Sequence, residues 1–415
     1  MENSHMLKEI PLEDALAILL SYSKPIGFEE IDIMDSMGRV LYEDIIAGFP
    51  LPPFDRSPLD GYAVIAEDTT NASKENPVIL RVSQHVFAGD FPARPLVPGE
   101  VAAVATGAPL PSGTNAVIKM EDAKSVEDKV LIFSPLKPGD NFINKGEDVF
   151  EGEKVLSQGI AITPAVIGVL ASLGRKSVKV FKKPRVAVLT IGDELVGIGE
   201  PIQPGKIYNS NVYAVSAQIV EAGGLAVPYK NTVDDMNHIA YLLNYCLKEN
   251  DIVLTTGGVS VGKRDYVKEA IKLSGANTLF WKVKIKPGTP IVCGENKGRL
   301  IIGLSGNPAA AMITFYMLIR PMLQRMSGLQ DVSLPDVTAI MEESFNKKSK
   351  QRRMLRANVY WKNGCYYAAP SGTQSPGALK SMLQCNALID IPGGRGPLNR
   401  GDKVKAILLS SSYVS

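Results

Sequence analysis

Three short runs of apolar residues set the tightest limit on how this chain can fold. Val186–Leu189, Ile252–Leu254 and Leu300–Ile302 are continuously apolar, with no polar residue at alternate positions. A strand with one wet face alternates; a strand buried on both faces does not. Stretches with helical apolar spacing separate the runs: Asn211–Glu221, closed by Gly223-Gly224, then Met236–Leu247 and Asp265–Leu273. Doubly buried strands alternating with helices predict a doubly wound parallel sheet, covered by helices on both faces. Pro308–Met326 reads as one long closing helix.

The flanks have a different character. Leu12–Ser21 is spaced as a helix with Glu13-Asp14 in its first turn, and Pro164–Leu173 as another, stopped at Gly174. A proline-rich bend, Phe49–Phe54, leads into short strands punctuated by glycine and proline: Val78–Val82, Glu100–Ala105, Ala116–Met120 and Lys129–Phe133. After Gly328, short strands and turns return up to Ser415, as in a small β-barrel or sandwich.

Composition removes several classes of function. With 415 residues, 45% of them hydrophobic, the chain can build several cores. Charged residues are 21% and nearly balanced at +2, which gives no reason to expect nucleic acid or an anionic membrane as partner. Cys246, Cys293, Cys365 and Cys385 form no CxxC pair and read as reduced, mostly buried thiols. His5, His85 and His238 are too scattered for a histidine metal site, and no G-x-S-x-G elbow supports a serine hydrolase. Glu2, Lys8 and Glu9 interrupt any apolar leader, and Met1–Met6 reads as a cloning remnant. The longest strongly apolar run, Ala309–Ile319, is far shorter than the roughly 20 residues of a membrane span. A soluble, cytoplasmic protein is expected.

The chemistry follows from what stands after each apolar strand. Thr190-Ile191-Gly192-Asp193-Glu194 follows the first; Thr255-Thr256-Gly257-Gly258-Val259-Ser260, with Asp265 shortly after, follows the second; Gly303-Leu304-Ser305-Gly306-Asn307-Pro308 follows the third. Open α/β sheets bind ligands outside the carboxyl ends of their strands. Glycines let backbone approach a ligand, and free N–H groups at helix starts favour anions. One such loop is often only a tight turn; three in register, each with a carboxylate or hydroxyl, point to a site. None is a Walker A loop.

Next comes Trp281-Lys282-Val283-Lys284-Ile285-Lys286-Pro287-Gly288-Thr289-Pro290. On one continuous strand, Lys282, Lys284 and Lys286 share a face. They then either solvate an edge or clamp a phosphate or oxyanion. In the first half, Asp60 stands beside Gly61 after the proline bend, and Asn144-Lys145-Gly146-Glu147-Asp148 forms a second acidic turn. Each is also ordinary turn chemistry.

Seven segments in order, PPFDRSPLDGYAV, ATGAPLP, NKGEDV, TIGDEL, TTGGVSVGKRDYV, FWKVKIKPGTP and GLSGNPAAA, resemble the molybdopterin molybdotransferase family. That family includes the bacterial molybdenum-insertion proteins and the carboxy-terminal part of gephyrin. The resemblance covers nearly the whole chain. It implies a linking subdomain (6–45 and 148–180), a β-rich inserted lobe (46–147), a molybdopterin-binding α/β domain (181–328) and a terminal β-barrel (329–415). It also implies a homodimer whose active site lies between the α/β domain of one chain and the β-rich lobe of the other.

The implied reaction inserts molybdenum from molybdate into adenylylated molybdopterin (molybdopterin-AMP) and releases AMP. Asp60, Thr106, Asp148, Glu194, Asp234 and Asp265 fall on the family's catalytic positions, with Asp265, Glu194 and Asp234 placed around Mg²⁺. Gly257, Gly258, Ser260, Lys282, Lys286, Pro287, Ser305, Asn307, Pro308, Arg356 and Ser375 are the implied substrate-binding set. Two departures stand out: Ser305 replaces the family's usual proline, and Ser375 matches the barrel serine only approximately. A molybdopterin adenylyltransferase is the implied substrate donor. The rival readings are a gephyrin-like scaffold gripping a peptide, and a nucleotide-acting enzyme of the competence-damage type sharing the α/β domain.

Overall fold

Seven strands form the central sheet: β1 (Leu7–Ile10), β2 (Arg185–Thr190), β3 (Leu225–Pro228), β4 (Ile252–Thr256), β5 (Asn277–Val283), β6 (Val292–Asn296) and β7 (Arg299–Leu304). The computed structural model describes residues 7–230, 232, 234–259 and 266–409. Spatial order is β1-β5-β6-β7-β4-β2-β3. β3, β2, β4 and β7 are mutually parallel, as the alternation of strand and helix predicts.

β6 runs antiparallel to both neighbours. The cause is local. Lys297 and Gly298 both have positive φ (53° and 82°), and they join the paired residues Asn296 and Arg299. A two-residue loop of that shape makes a hairpin, which returns the chain antiparallel.

Alternate residues of each parallel strand feed two cores. Val186, Val188, Ile252 and Leu254 face α1 (Leu12–Ser21), α2 (Asn211–Glu221) and the helical run after Asn307. Ala187, Leu189, Val253 and Ile301 face α3 (Met236–Glu249) and α4 (Val267–Leu273). That two-sided burial explains why these strands carry no polar alternation.

The closing helix is less regular than its apolar spacing suggests. It is α-helical over Pro308–Thr314, opens into a π-helical turn over Phe315–Ile319, and is α-helical again over Arg320–Met326. The wide turn comes just before Pro321, which has no N–H to give to the carbonyl four residues back.

The β-rich lobe is a six-stranded sheet in the order Ala116–Lys119, Gly61–Val64, Glu100–Val104, Val78–Val86, Lys129–Ile132, Ala123–Val126. The linking part pairs Phe28–Asp32 with Ser177–Phe181 and Ile45–Ile46 with Lys154–Leu156, around a helix at Pro164–Ser172 whose first turn is capped by the Thr163 hydroxyl. The terminal part closes as a five-stranded barrel, Arg352–Lys362 meeting both Cys365–Pro370 and Ala387–Ile391.

One expected boundary moves. β1 pairs with β5, and Leu12, Ala15 and Leu19 of α1 lie in the α/β core, so Leu7–Ser21 belongs to the α/β domain and not to the linking subdomain. The physical reason is that β1 completes the edge left open by β5.

Leu254 is fully buried in the first core. Leu254→Ala should lower unfolding free energy by about 2–5 kcal/mol, the usual cost of a buried leucine cavity, as read by chemical denaturation.

Candidate functional site

The loops after β2, β4 and β7 are locked to one another by backbone contacts. Ile191 prolongs β2 and bridges Thr232, and the Gly192 N–H donates to the Thr232 carbonyl at 3.3 Å. The Asp234 N–H donates to the Asp193 carboxylate at 3.3 Å. Glu194 is exposed beside them, and its carbonyl accepts from the Ile207 N–H at 2.9 Å. Glu194 and Asp234 therefore come to one end of the sheet although 40 residues separate them.

Gly257 fits because it has no side chain. Its φ is +90°, and a Cβ there would stand 2.2 Å from the Ile191 carbonyl oxygen. Its N–H donates to the Leu304 carbonyl at 3.1 Å. On the far side, the Asn211 amide donates to the Gly306 carbonyl at 2.8 Å, which ties the start of α2 to the loop after β7. β2 leads to β3 on one side, while β4 lies on the other, so the crevice opens at the sheet's topological switch point.

The lysine stretch folds differently from a single strand. β5 stops at Val283. Lys284 is an exposed bend whose N–H donates to the Ile10 carbonyl at 2.9 Å. Ile285–Lys286 then pairs with Arg352–Arg353 of the barrel. Lys282 has φ +70° and lays its ammonium 4.4 Å from the centre of the Trp281 ring. The expectation that Lys282, Lys284 and Lys286 share one strand face is therefore overturned: the chain changes sheets between them. The sequence pattern carried the lysines but not the break.

Lys286 opens the turn Pro287-Gly288-Thr289-Pro290. Gly288 has φ +103°, and a Cβ would meet the Thr314 hydroxyl at 2.2 Å, so the turn lies directly on the closing helix. The Thr289 hydroxyl donates to the Ile285 carbonyl at 2.6 Å. This turn, Ser305, Asn307 and Ala310 form one wall of a cavity of about 590 Å³; Lys347, Arg353 and Thr373–Pro376 of the barrel form the other. The lining carries three cations, Lys286, Lys347 and Arg353, and no carboxylate.

Arg356 lies beneath this cavity, fully buried, and does not line it. One guanidinium nitrogen donates to the Thr373 and Ser375 carbonyls at 2.9 and 3.0 Å; Nε and Nη1 are buried without a partner among the described residues. Burial pulls its pKa below the ordinary arginine value. Gln374 accepts from the Arg356 N–H at 3.0 Å and donates back to the Arg356 carbonyl at 3.1 Å. Together they hold the loop that carries Ser375 against the cavity. Lys347, Arg353, Thr373 and Gln374 were not among the sequence-derived candidates; the basic run Lys347–Arg353 was the available signal.

The barrel is fastened to the sheet by Arg352. Its guanidinium makes two bonds of 2.7 Å to the Asp390 carboxylate and a further contact to Glu13 of α1. The Gln351 amide donates to Glu9 at 2.9 Å. Burial works against ionisation of Glu13, but a backbone N–H and Arg352 outweigh it and hold its pKa below the usual carboxylate value.

In the lobe, Asp60 and Thr106 meet: one Asp60 oxygen accepts from the Thr106 N–H at 2.7 Å and from its hydroxyl at 3.0 Å. Asp148 is exposed next to Leu51, whose carbonyl accepts its N–H at 3.0 Å. None of these three lines the cavity. Pro308 starts the closing helix, and Gly258 follows Gly257 with φ +63°. Ser260 and Asp265 lie outside the described residues. Among the described residues, no three His, Cys, Asp or Glu side chains gather as a metal site.

An open α/β sheet with three interlocked strand-end loops, beside a cation-lined cavity shared with a barrel, defines a binder of an anionic small molecule. The chain belongs to the molybdopterin molybdenumtransferase family. Residues 10–174 match the MoeA N-terminal region (domains I and II), 187–325 a probable molybdopterin binding domain, and 338–409 the MoeA C-terminal region (domain IV). Molybdopterin molybdenumtransferase of Bacillus subtilis is 35% identical over 96% of this chain and 94% of its own length. That of Staphylococcus aureus is 34% identical over 97% and 96%. A crystal structure of the molybdopterin biosynthesis moeA protein of Pyrococcus horikoshii superposes with a TM-score of 0.85 at 33% identity, over 97% of this chain and all of the other. The resemblance carried by the seven motifs is thereby confirmed.

Arg352→Met should destabilise the protein by about 3–5 kcal/mol, because Asp390 would stay buried without its counter-charge. Glu13→Gln, at an exposed carboxylate, should cost under about 1 kcal/mol. Paired denaturation curves read both.

Proposed function

We propose that this protein inserts molybdenum from molybdate into adenylylated molybdopterin, with release of AMP, as a cytoplasmic enzyme of molybdenum-cofactor synthesis. The observation that supports this reading best is the carboxylate-free, three-cation cavity beside the strand-end loops. Lys286 and Arg353 offset the charge of an oxyanion or phosphate there, and the interlocked loops receive the rest of the ligand. No side chain serves as covalent nucleophile; the dithiolene sulfurs receive the metal. The scaffold reading is not favoured, because Asp60, Asp148, Glu194, Asp234 and Asp265 are all present.

Glu194, Asp234 and Asp265 are proposed to hold Mg²⁺. Two described carboxylates with hard oxygen donors stand at one end of the sheet, and Mg²⁺ ordinarily takes one or two carboxylates plus substrate phosphates. When bound, the ion neutralises charge on the phosphoanhydride. Asp60 and Thr106 lie on the lobe and Asp148 at its border with the linking subdomain, all outside the cavity lining, which suits a homodimer in which one chain's lobe completes the partner's site. A molybdopterin adenylyltransferase is the proposed donor of substrate.

Purified protein should release AMP from molybdopterin-AMP only after molybdate is added; molybdate-independent release would sink the reading. Mixing inactive Asp60→Ala and Asp265→Ala chains should restore part of the activity through hybrid dimers, and no recovery after proven subunit exchange would count against the shared site. Lys286→Ala should weaken substrate binding about tenfold or more, the worth of one charge-assisted bond. Lys282→Ala, outside the cavity, should leave it unchanged. Equal losses in both variants would contradict the placement of the cavity.

A further inference from the structure

We propose that Asn211 is a positioning residue of the strand-end loops: its amide holds the Gly306 carbonyl and thereby keeps the loop after β7 seated against the loop after β4. The proposal deepens the transferase reading and rests on it for the reaction measured below.

Asn211 is the first residue of α2, and the helix itself has no use for it there. Asparagine is a poor helix former, favoured just before a helix, where its side chain accepts a free N–H. Asn209 already does that: its side-chain oxygen accepts from the Val212 N–H at 3.3 Å, while its amide donates to the Thr190 hydroxyl at 2.6 Å. The Asn211 amide instead leaves α2 and reaches Gly306, 95 residues further along the chain. The start of α2 thus grips the end of β2 through Asn209 and the loop after β7 through Asn211, with β4 between them.

The gripped loop meets its neighbour glycine to glycine. A Cβ on Gly306 would stand 3.3 Å from the Gly257 Cα. Two glycines back to back have no side chains to interlock, so two polar bonds fix the spacing of these loops: that from Asn211, and the one from the Gly257 N–H to the Leu304 carbonyl at 3.1 Å. α2 is a firm anchor. Gln218, 3% exposed, donates to the Met312 carbonyl at 3.2 Å, and the Tyr316 hydroxyl donates to the Glu221 carboxylate at 3.2 Å, which bolts α2 to the closing helix. One solvent-facing hydrogen bond adds little to the stability of a domain. Its effect is on geometry, and misplacing reacting groups by about 1 Å can cost a hundredfold in rate.

The test compares Asn211→Ala with Gln218→Ala in the full chain. The readouts are AMP release from molybdopterin-AMP and molybdate, thermal melts, and backbone amide hydrogen exchange. Asn211→Ala should melt as wild type, lose about tenfold to a hundredfold in kcat with KM little changed, and exchange the Gly257 and Asn307 amides faster. Gln218→Ala should melt lower and keep wild-type kcat. Asn211→Asp, which has the same shape but no side-chain donor at neutral pH, should be at least as slow as Asn211→Ala. Wild-type kcat in Asn211→Ala, unchanged exchange at Gly257 and Asn307, or losses in both variants that simply follow their melts would each overturn the proposal. Should Asn211→Ala fold poorly, Asn211→Asp carries the same comparison. Exchange needs no substrate, so wild-type protein that releases no AMP would contradict the transferase reading, while faster exchange in Asn211→Ala would still establish the clamp.

Discussion

The short parallel pairing of Ile285–Lys286 with Arg352–Arg353 determines where a site can form in this molecule. The chain leaves the central sheet at Val283, bends at Lys284 and joins the barrel's sheet two residues later. Lys286 and Arg353 are register partners, so this crossing puts two cations on one seam, at the cavity between the α/β domain and the barrel. Two residues of pairing are a weak joint. The fork of Arg352 on Asp390, its contact to Glu13 and the bond from Gln351 to Glu9 make the joint rigid, and they do so through α1 and β1, the first elements of the chain. The amino-terminal strand and helix are thus part of the site's foundation although they contribute nothing to its lining.

Charge is sorted across the strand ends. Carboxylates stand after β2 and β3, where the Asp234 N–H donates to the Asp193 carboxylate and Glu194 is exposed nearby. Cations and hydroxyls line the seam formed by the Lys286 turn, the loop after β7 and the facing barrel. A net charge of +2 conceals this separation entirely. A ligand with a phosphate-rich part and a separate oxyanion matches such an arrangement, because each end meets groups that lower its charge.

Much of this was legible in the sequence. Unalternating strands such as Ile252–Leu254 report burial on both faces, and that property alone defines the parallel part of the sheet. Glycine after each strand marks close backbone approach, as Gly257 against Ile191 bears out. What stayed hidden depended on partners distant in sequence. Nothing local shows that Leu7–Ile10 fills an edge beside β5, or that a lysine with positive φ lays its ammonium over Trp281. Period-2 spacing assumed a continuous strand and so misplaced Lys282. Arg356 was implied by the family resemblance, but its place beneath the loop, holding Thr373 and Ser375 rather than lining the cavity, required coordinates. The hairpin at Lys297-Gly298, which joins β6 to β7 antiparallel, is of a type that glycine at a turn can signal.

The proposed function turns on one location, the seam between the Lys286 turn and the barrel. Crystals of the protein soaked with tungstate, with anomalous data collected at a tungsten edge, locate that anion without reference to any assay. The strongest anomalous peak should fall within bonding reach of Lys286, Ser305 and Arg353. A strongest peak over Gly257-Gly258 or at the Asp60–Thr106 pair, with the seam empty, would contradict it.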